Sequence, residues 1–205
     1  MPNWCNNTLR LGHIDSKMID KAIQGYNECE LLSTFCPLPE SEDAFMTAVN
    51  TWGTKWDVGA SSGGGDGYVS RVSDNLVSFC FVSAWSPPVH AYEKMMELGF
   101  SVDAMYHESG CAFCGIWDNG SDDYYELVGD SFWVVDNIPE KLNLTFGISE
   151  SMADWEYEEI FSQIEDIKEK IEGEGCEETC QKLREELEVL QFNLNRYEVQ
   201  NDLSM

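Results

Sequence analysis

The chain has 205 residues, with 38 acidic against 12 basic side chains, a formal net charge of −26 and a pI near 4.1. At 43% hydrophobic and 12% aromatic it carries enough apolar material for a real core, which excludes a wholly disordered chain despite the charge. The acid excess also excludes direct binding to nucleic acid or to anionic membranes, since both run on Lys and Arg.

From the N-terminus, Asn6–Gly12 alternates around Leu9 and Leu11 and predicts a short strand. Asp15 or Ser16 caps a helix that places Met18, Ile19, Ala22, Ile23 and Tyr26 on one face. After Cys36-Pro37-Leu38-Pro39, a second helix starts at Pro39, carries Phe45, Ala48, Val49 and Trp52 at helical spacing, and stops at Gly53. The run Ser61–Gly67 is a glycine-rich loop. Ser73-Asp74-Asn75 is a turn joining strands Tyr68–Val72 and Leu76–Trp85 into a hairpin. Pro87 and Pro88 open a helix over Val89, Tyr92, Met95 and Met96 that Gly99 ends, and Phe100–His107 is again a strand. Strand, helix, strand, strand, helix, strand is the order of a ferredoxin-like sandwich, here with a helical insertion near residues 30–60. Cys111–Trp117 and Tyr124–Val128 read as two further antiparallel strands. The fold class expected is therefore α+β, with helices on one face of the sheet.

From Ala153 the pattern changes. Ile160, Ile164, Ile167 and Ile171 recur at spacings of 4, 3, 4. After Gly173-Glu174-Gly175, the series Cys176, Cys180, Leu183, Leu187, Leu190, Leu194 and Tyr197 continues a heptad-like seam. Two glycines within three residues disfavour one continuous helix and predict an antiparallel hairpin. The chain thus divides into residues 1–150 and an acidic hairpin over 153–205. Residues 150–205 hold 17 acids and 5 bases, a far denser negative charge than the front domain with its 21 acids and 7 bases.

Chemistry-bearing clusters are few. Cys111-Ala112-Phe113-Cys114 with Cys176 and Cys180 has the ligand types of a zinc site. The alternative is packing: Cys111 and Cys114 lie in a strand-like stretch, and Cys176 and Cys180 hold seam positions. A thioredoxin-like role requires the first Cys at a helix N-terminus, and the neighbours read as strand. His13, His90 and His107 are too scattered to define a triad. The glycine-rich loop lacks the Lys and Ser/Thr of a phosphate cradle, and Asp118, Asp122 and Asp123 lack calcium-loop spacing. No cofactor and no metal are expected. No apolar run approaches the ~20 residues of a membrane span, and the N-terminus does not read as a signal peptide. The eight cysteines then read as reduced thiols of a cytoplasmic protein.

Two aromatic clusters stand out. Trp52-Gly53-Thr54-Lys55-Trp56-Asp57 places two tryptophans around one of the few front-domain bases, and Ala84-Trp85-Ser86-Pro87-Pro88 puts a third where a strand passes into a helix. Either these are core aromatics beside a Pro-started helix, or they form a recognition patch in which Trp52, Lys55, Trp56, Asp57 and Trp85 meet a partner.

Those two segments, with Pro2-Asn3-Trp4-Cys5 and Asn7, resemble the Api92-like/YubB family of phage and plasmid proteins, over roughly residues 1–150. The resemblance implies a ferredoxin-like domain and a mobile-element origin rather than a reaction; the acidic hairpin lies outside it. The chain is also similar in general character to early proteins of T4-like phages. That likeness implies an anti-defence protein in the bacterial host cytoplasm, one that inhibits a host DNA-acting defence enzyme such as a DNA ADP-ribosylating (DarT-type) toxin. On that expectation the partner presents a basic DNA-binding surface, and Glu177, Glu178, Glu185 and Glu186 of the hairpin meet it alongside the tryptophans. The chain would act as a monomer, or as a homodimer through the hairpin. The alternatives are an enzyme acting on a nucleotide or modified base through a pocket beside the sheet, and a structural or oligomerisation module.

Overall fold

The computed structural model describes residues 3–64, 67–173 and 176–203, with side chains as far as Tyr197. Pro2 of the N-terminal motif, Gly65 and Asp66 of the glycine-rich loop, and Glu174 and Gly175 of the expected hairpin turn lie outside the described residues. The chain divides into two compact units, Met1–Val128 and Gly129–Met205.

The first unit is built on a six-stranded antiparallel sheet. Its strands are β1 (Trp4–Gly12), β2 (Tyr68–Ser73), β3 (Leu76–Ala84), β4 (Ser101–Glu108), β5 (Phe113–Asp118) and β6 (Ser121–Glu126). They lie in the order β2-β3-β1-β4-β5-β6. The first four strands have the arrangement of a ferredoxin-like sandwich, and the β5–β6 hairpin extends it past β4. Period-two burial makes the sheet one-sided: Leu9 and Leu11 of β1, Val77 and Phe79 of β3, and Val102 and Ala104 of β4 all enter one core. Cross-strand pairs such as Leu9↔Phe79 and Leu9↔Ala104 keep the apolar residues in register on that face.

Four helices supply the other half of this core. They are α1 (Ser16–Asn27), α2 (Leu31–Phe35), α3 (Ala44–Trp52) and α4 (Val89–Glu97). Asp15 caps α1 by accepting from the Lys17 amide at 3.0 Å, and Ile19, Ala22 and Tyr26 are the buried stripe. In the insertion the start differs from expectation. Helix α3 begins at Ala44 rather than Pro39, because Asp43 accepts from the Met46 amide at 3.0 Å and so satisfies a first-turn donor. It ends at Gly53, whose φ of 88° is the left-handed cap that glycine adopts without a Cβ penalty. Cys111 also differs: it sits in the β4–β5 turn, where the Glu108 carboxylate accepts from the Gly110 and Cys111 amides. Strand β5 therefore starts at Phe113.

The second unit is all helix: α5 (Ser131–Asn137), α6 (Glu140–Phe146), α7 (Ile148–Gly173) and α8 (Glu177–Leu203). Helices α7 and α8 pack together as the long arms. Ile164 and Ile167 face inward from α7 and Cys180 and Tyr197 from α8, while Ile160, Ile171, Leu183, Leu187, Leu190 and Leu194 are half-buried. Cys176, expected in the seam, is exposed just before α8 begins. The unit starts well before residue 150 because α5 and α6 fold onto α7. The Glu156 carboxylate on α7 accepts from the Ser131 amide at 3.0 Å and the Ser131 hydroxyl at 2.6 Å, capping α5 from a distance. Helix α7 reaches back to Ile148, and the far end of α8 has its own partner. That partner is Phe132 of α5, whose ring lies 5.3 Å from Tyr197 and 4.4 Å from the Arg196 guanidinium. No helix among the described residues is long and apolar enough to cross a membrane.

Candidate functional site

Three segments far apart in sequence meet at one end of the sheet: the start of β1, the stretch after α3, and the turn from β3 into α4. A chain of hydrogen bonds ties them. Asn7 donates from Nδ2 to the Ser83 hydroxyl at 2.8 Å and to the Cys5 carbonyl at 2.8 Å. Ser83 donates to the Ser86 carbonyl at 2.8 Å, and the Ser86 hydroxyl donates to the Gly53 carbonyl at 2.5 Å. Thr54 donates to the Ala84 carbonyl at 2.8 Å, and the Trp85 amide donates to the Asn3 carbonyl at 2.9 Å. Asn7, Thr54 and Ser83 are buried, and Asn7 Oδ1 has no hydrogen-bond partner among the described residues. Nearby, burial is the main force pushing the Cys5 thiol far above its ordinary range, so it stays a neutral thiol. A buried polar network contributes less to a core than apolar packing of the same volume, but it fixes the relative positions of the segments it joins.

Above this network lies an aromatic cluster. Trp4 and Trp56 have ring centroids 5.8 Å apart, and Phe45 meets Trp85 edge-on at 5.5 Å. The Lys55 ammonium sits between them, 4.6 Å from the Trp56 ring, 4.9 Å from Trp85 and 5.4 Å from Phe45. Three of these rings remain open to solvent, with Phe45 39%, Trp85 41% and Trp56 44% exposed. Trp85 is held at φ 73°, in the left-handed region that a bulky side chain occupies only at a cost of about 1–2 kcal/mol. The fold thus accepts backbone strain at a residue whose ring is only partly buried.

The structure separates the expected site residues. Lys55, Trp56 and Trp85 come together. Trp52 does not join them: it is 4% exposed, and its indole donates to the Cys36 carbonyl at 2.7 Å, so it is a core residue of α3. Asp57 serves the fold, its carboxylate accepting from the Leu32 amide at 2.7 Å and the Ser33 amide at 3.0 Å at the start of α2. Phe45 and Trp4 are additional members. Phe45 shares the helical face of Ala48 and Trp52 but lies in the first turn of α3, where it stays 39% exposed beside Trp85, while Trp4 opens a strand whose alternation gives no hint of a ring contact with Trp56. Glu177, Glu178, Glu185 and Glu186 are exposed on α8 in the second unit. Glu177 pairs with Arg184 at 3.0 Å and Glu178 with Lys182 at 3.1 Å.

A shallow cavity of about 330 Å³ opens on the helix-covered side of the first unit, lined mainly by Val89, Phe113 and Tyr124, with His90, Tyr106 and Asp122 as its polar groups. Tyr106 donates to Asp122 at 2.7 Å, and a His90 ring nitrogen lies 3.3 Å from the Val49 carbonyl. None of Trp4, Trp52, Trp56 and Trp85 lines it. Among the described residues, no group of three or more His, Cys, Asp or Glu side chains is placed to hold a metal ion.

No family profile, no curated protein and no solved structure matches the chain.

Proposed function

We propose that the chain is a non-catalytic inhibitor: a phage-encoded anti-defence protein of the Api92-like/YubB type that binds a host DNA-acting enzyme, such as a DarT-type toxin, in the host cytoplasm. One observation carries the reading. The three segments on which the family resemblance rests are hydrogen-bonded into one knot beneath partly exposed Trp56 and Trp85, with strain retained at Trp85. Rigid aromatics on a fixed frame are typical anchors of protein–protein recognition. The net charge of −26 supports a basic partner, because an enzyme that grips DNA presents a positive groove that an acidic surface enters with Coulombic steering.

The test is binding of the full-length chain to a purified DarT-type toxin, with and without DNA. Binding that DNA competes away and that weakens with salt supports the reading. Trp56→Ala should then accelerate dissociation, and reversal of Glu185 and Glu186 to Lys should slow association. Absence of binding to the toxin, together with no basic DNA-binding protein retained from a bacterial lysate, would refute it.

The cavity with His90, Tyr106 and Asp122 favours a second reading, an enzyme acting on a nucleotide or modified base. That reading predicts loss of anti-toxin activity in His90→Ala and Asp122→Asn with toxin binding unchanged; the inhibitor reading predicts no loss in either.

A further inference from the structure

We infer that the ring cluster is a receptor for a single arginine side chain of the partner, and that Lys55 is its resting occupant. The inference deepens the inhibitor reading and rests on it for the source of the arginine, but not for the chemistry of the cage. Three rings around one ammonium, all at 4.6–5.4 Å from ring centroid to Nζ, form a cation site, since each face presents the negative side of its quadrupole within the ~6 Å over which the attraction acts.

The rings and the lysine are held very differently. The rings of Trp56 and Trp85 hang on or beside backbone tied by hydrogen bonds. Gly53 caps α3 and accepts from Ser86, Thr54 is bonded to Ala84, and the Trp85 amide is bonded to Asn3. Lys55 enters the cage on a four-carbon stem with freely rotating torsions. Among the described ion pairs none includes Lys55, although the chain holds 38 acidic side chains. An ammonium in such an acidic chain that rests on aromatic faces shows that the cage competes for cations. A planar guanidinium stacks on an indole face better than an ammonium does and is less strongly hydrated, so arginine is the ligand that gains most by exchange. Net negative charge draws it in, and the displaced Lys55 swings into solvent.

Exchange has a measurable signature, because a cage that is already filled binds an external cation less tightly than an empty one. The probe is N-acetyl-arginine amide, titrated at constant ionic strength into the isotopically labelled full-length protein, with the indole N–H signals of Trp56 and Trp85 as readout. N-acetyl-citrulline amide, the neutral isostere, is the control. The expected result is saturable shifts of both indoles with the arginine probe and none with citrulline. Lys55→Ala should bind the probe about fivefold more tightly, and Lys55→Met, which keeps the stem without charge, should also bind more tightly. A dispersed spectrum for each variant verifies folding. Equal shifts with citrulline, no shifts with either probe, or weaker binding in both Lys55 variants would overturn the inference. Because no partner protein is present, failure of the toxin-inhibitor reading leaves this outcome unaffected, and failure here leaves toxin binding to be measured by itself.

Discussion

Replacing Trp85 separates strain from display. Both Trp85→Ala and Trp85→Gly remove the indole, of which 41% was exposed, so each loses the burial of roughly 100 Å², or about 2–3 kcal/mol. They differ in the backbone. Alanine keeps a Cβ at φ 73° and with it the ~1–2 kcal/mol of left-handed strain, whereas glycine releases that strain. Glycine also gives the unfolded chain more freedom, which offsets about 0.5–1 kcal/mol. The balance leaves Trp85→Gly more stable than Trp85→Ala by about 0.5–1 kcal/mol, the reverse of the order in helices and strands. Urea denaturation of the two full-length variants reads this directly. With a slope near ~2 kcal/mol/M the midpoints should lie about 0.3–0.5 M apart, glycine higher. Equal midpoints, or alanine higher, would show that Trp85 is unstrained and remove the argument that the fold gives up stability to present it. Both variants should lose partner binding to the same extent.

Ile164 is buried in the second unit and Leu187 only half so; Ile164→Asp should therefore cost several kcal/mol and Leu187→Asp less, each melting the helical unit in circular dichroism ahead of the sheet unit. Asp57→Ala removes the acceptor for the Leu32 and Ser33 amides and should cost about 1–2 kcal/mol in chemical denaturation, with Asp57→Asn recovering part of it. Hydrogen bonds from Thr179 and the Glu178 amide hold the Cys176 thiol below its ordinary value, while burial pushes Cys36 and Cys114 up to about 11. The thiolate is the reacting form, so at about pH 7.5 iodoacetamide should label Cys176 well before Cys36 or Cys114, as peptide mass spectrometry will show.

The sheet and its strand order were readable because their signals are local and repeat: alternating burial on β1, β3 and β4, turn residues between β2 and β3, and a proline start and glycine stop around α4. Helices α2, α5 and α6 escaped because each is only five to seven residues long, too short for a period of 3.6 to show. The cap of α5 comes partly from Glu156, far along the chain, and no window around Ser131 contains it. Trp52 and Trp56 look alike in sequence and both were expected in the patch; only the packing of α3 separates the buried Trp52 from the exposed Trp56. The convergence of Asn3, Thr54 and Ser86 is a product of strand order, visible only once β1 and β3 are neighbours.

Gly115 sits on β5 directly opposite Tyr106 of β4 and Tyr124 of β6. A Cβ at that position would collide with the Tyr106 ring, whose hydroxyl reaches across the glycine to Asp122. Slipping β5 by one residue would oppose Tyr106 with Cys114 or Ile116 and turn every side chain of the strand over; slipping it by two would oppose it with Phe113 or Trp117. None of these alternatives leaves room for the ring to lie flat. The missing side chain acts as a keyway: the tyrosine finds a seat in one alignment and meets bulk in its neighbours, so a single glycine sets the register of β5 against β4.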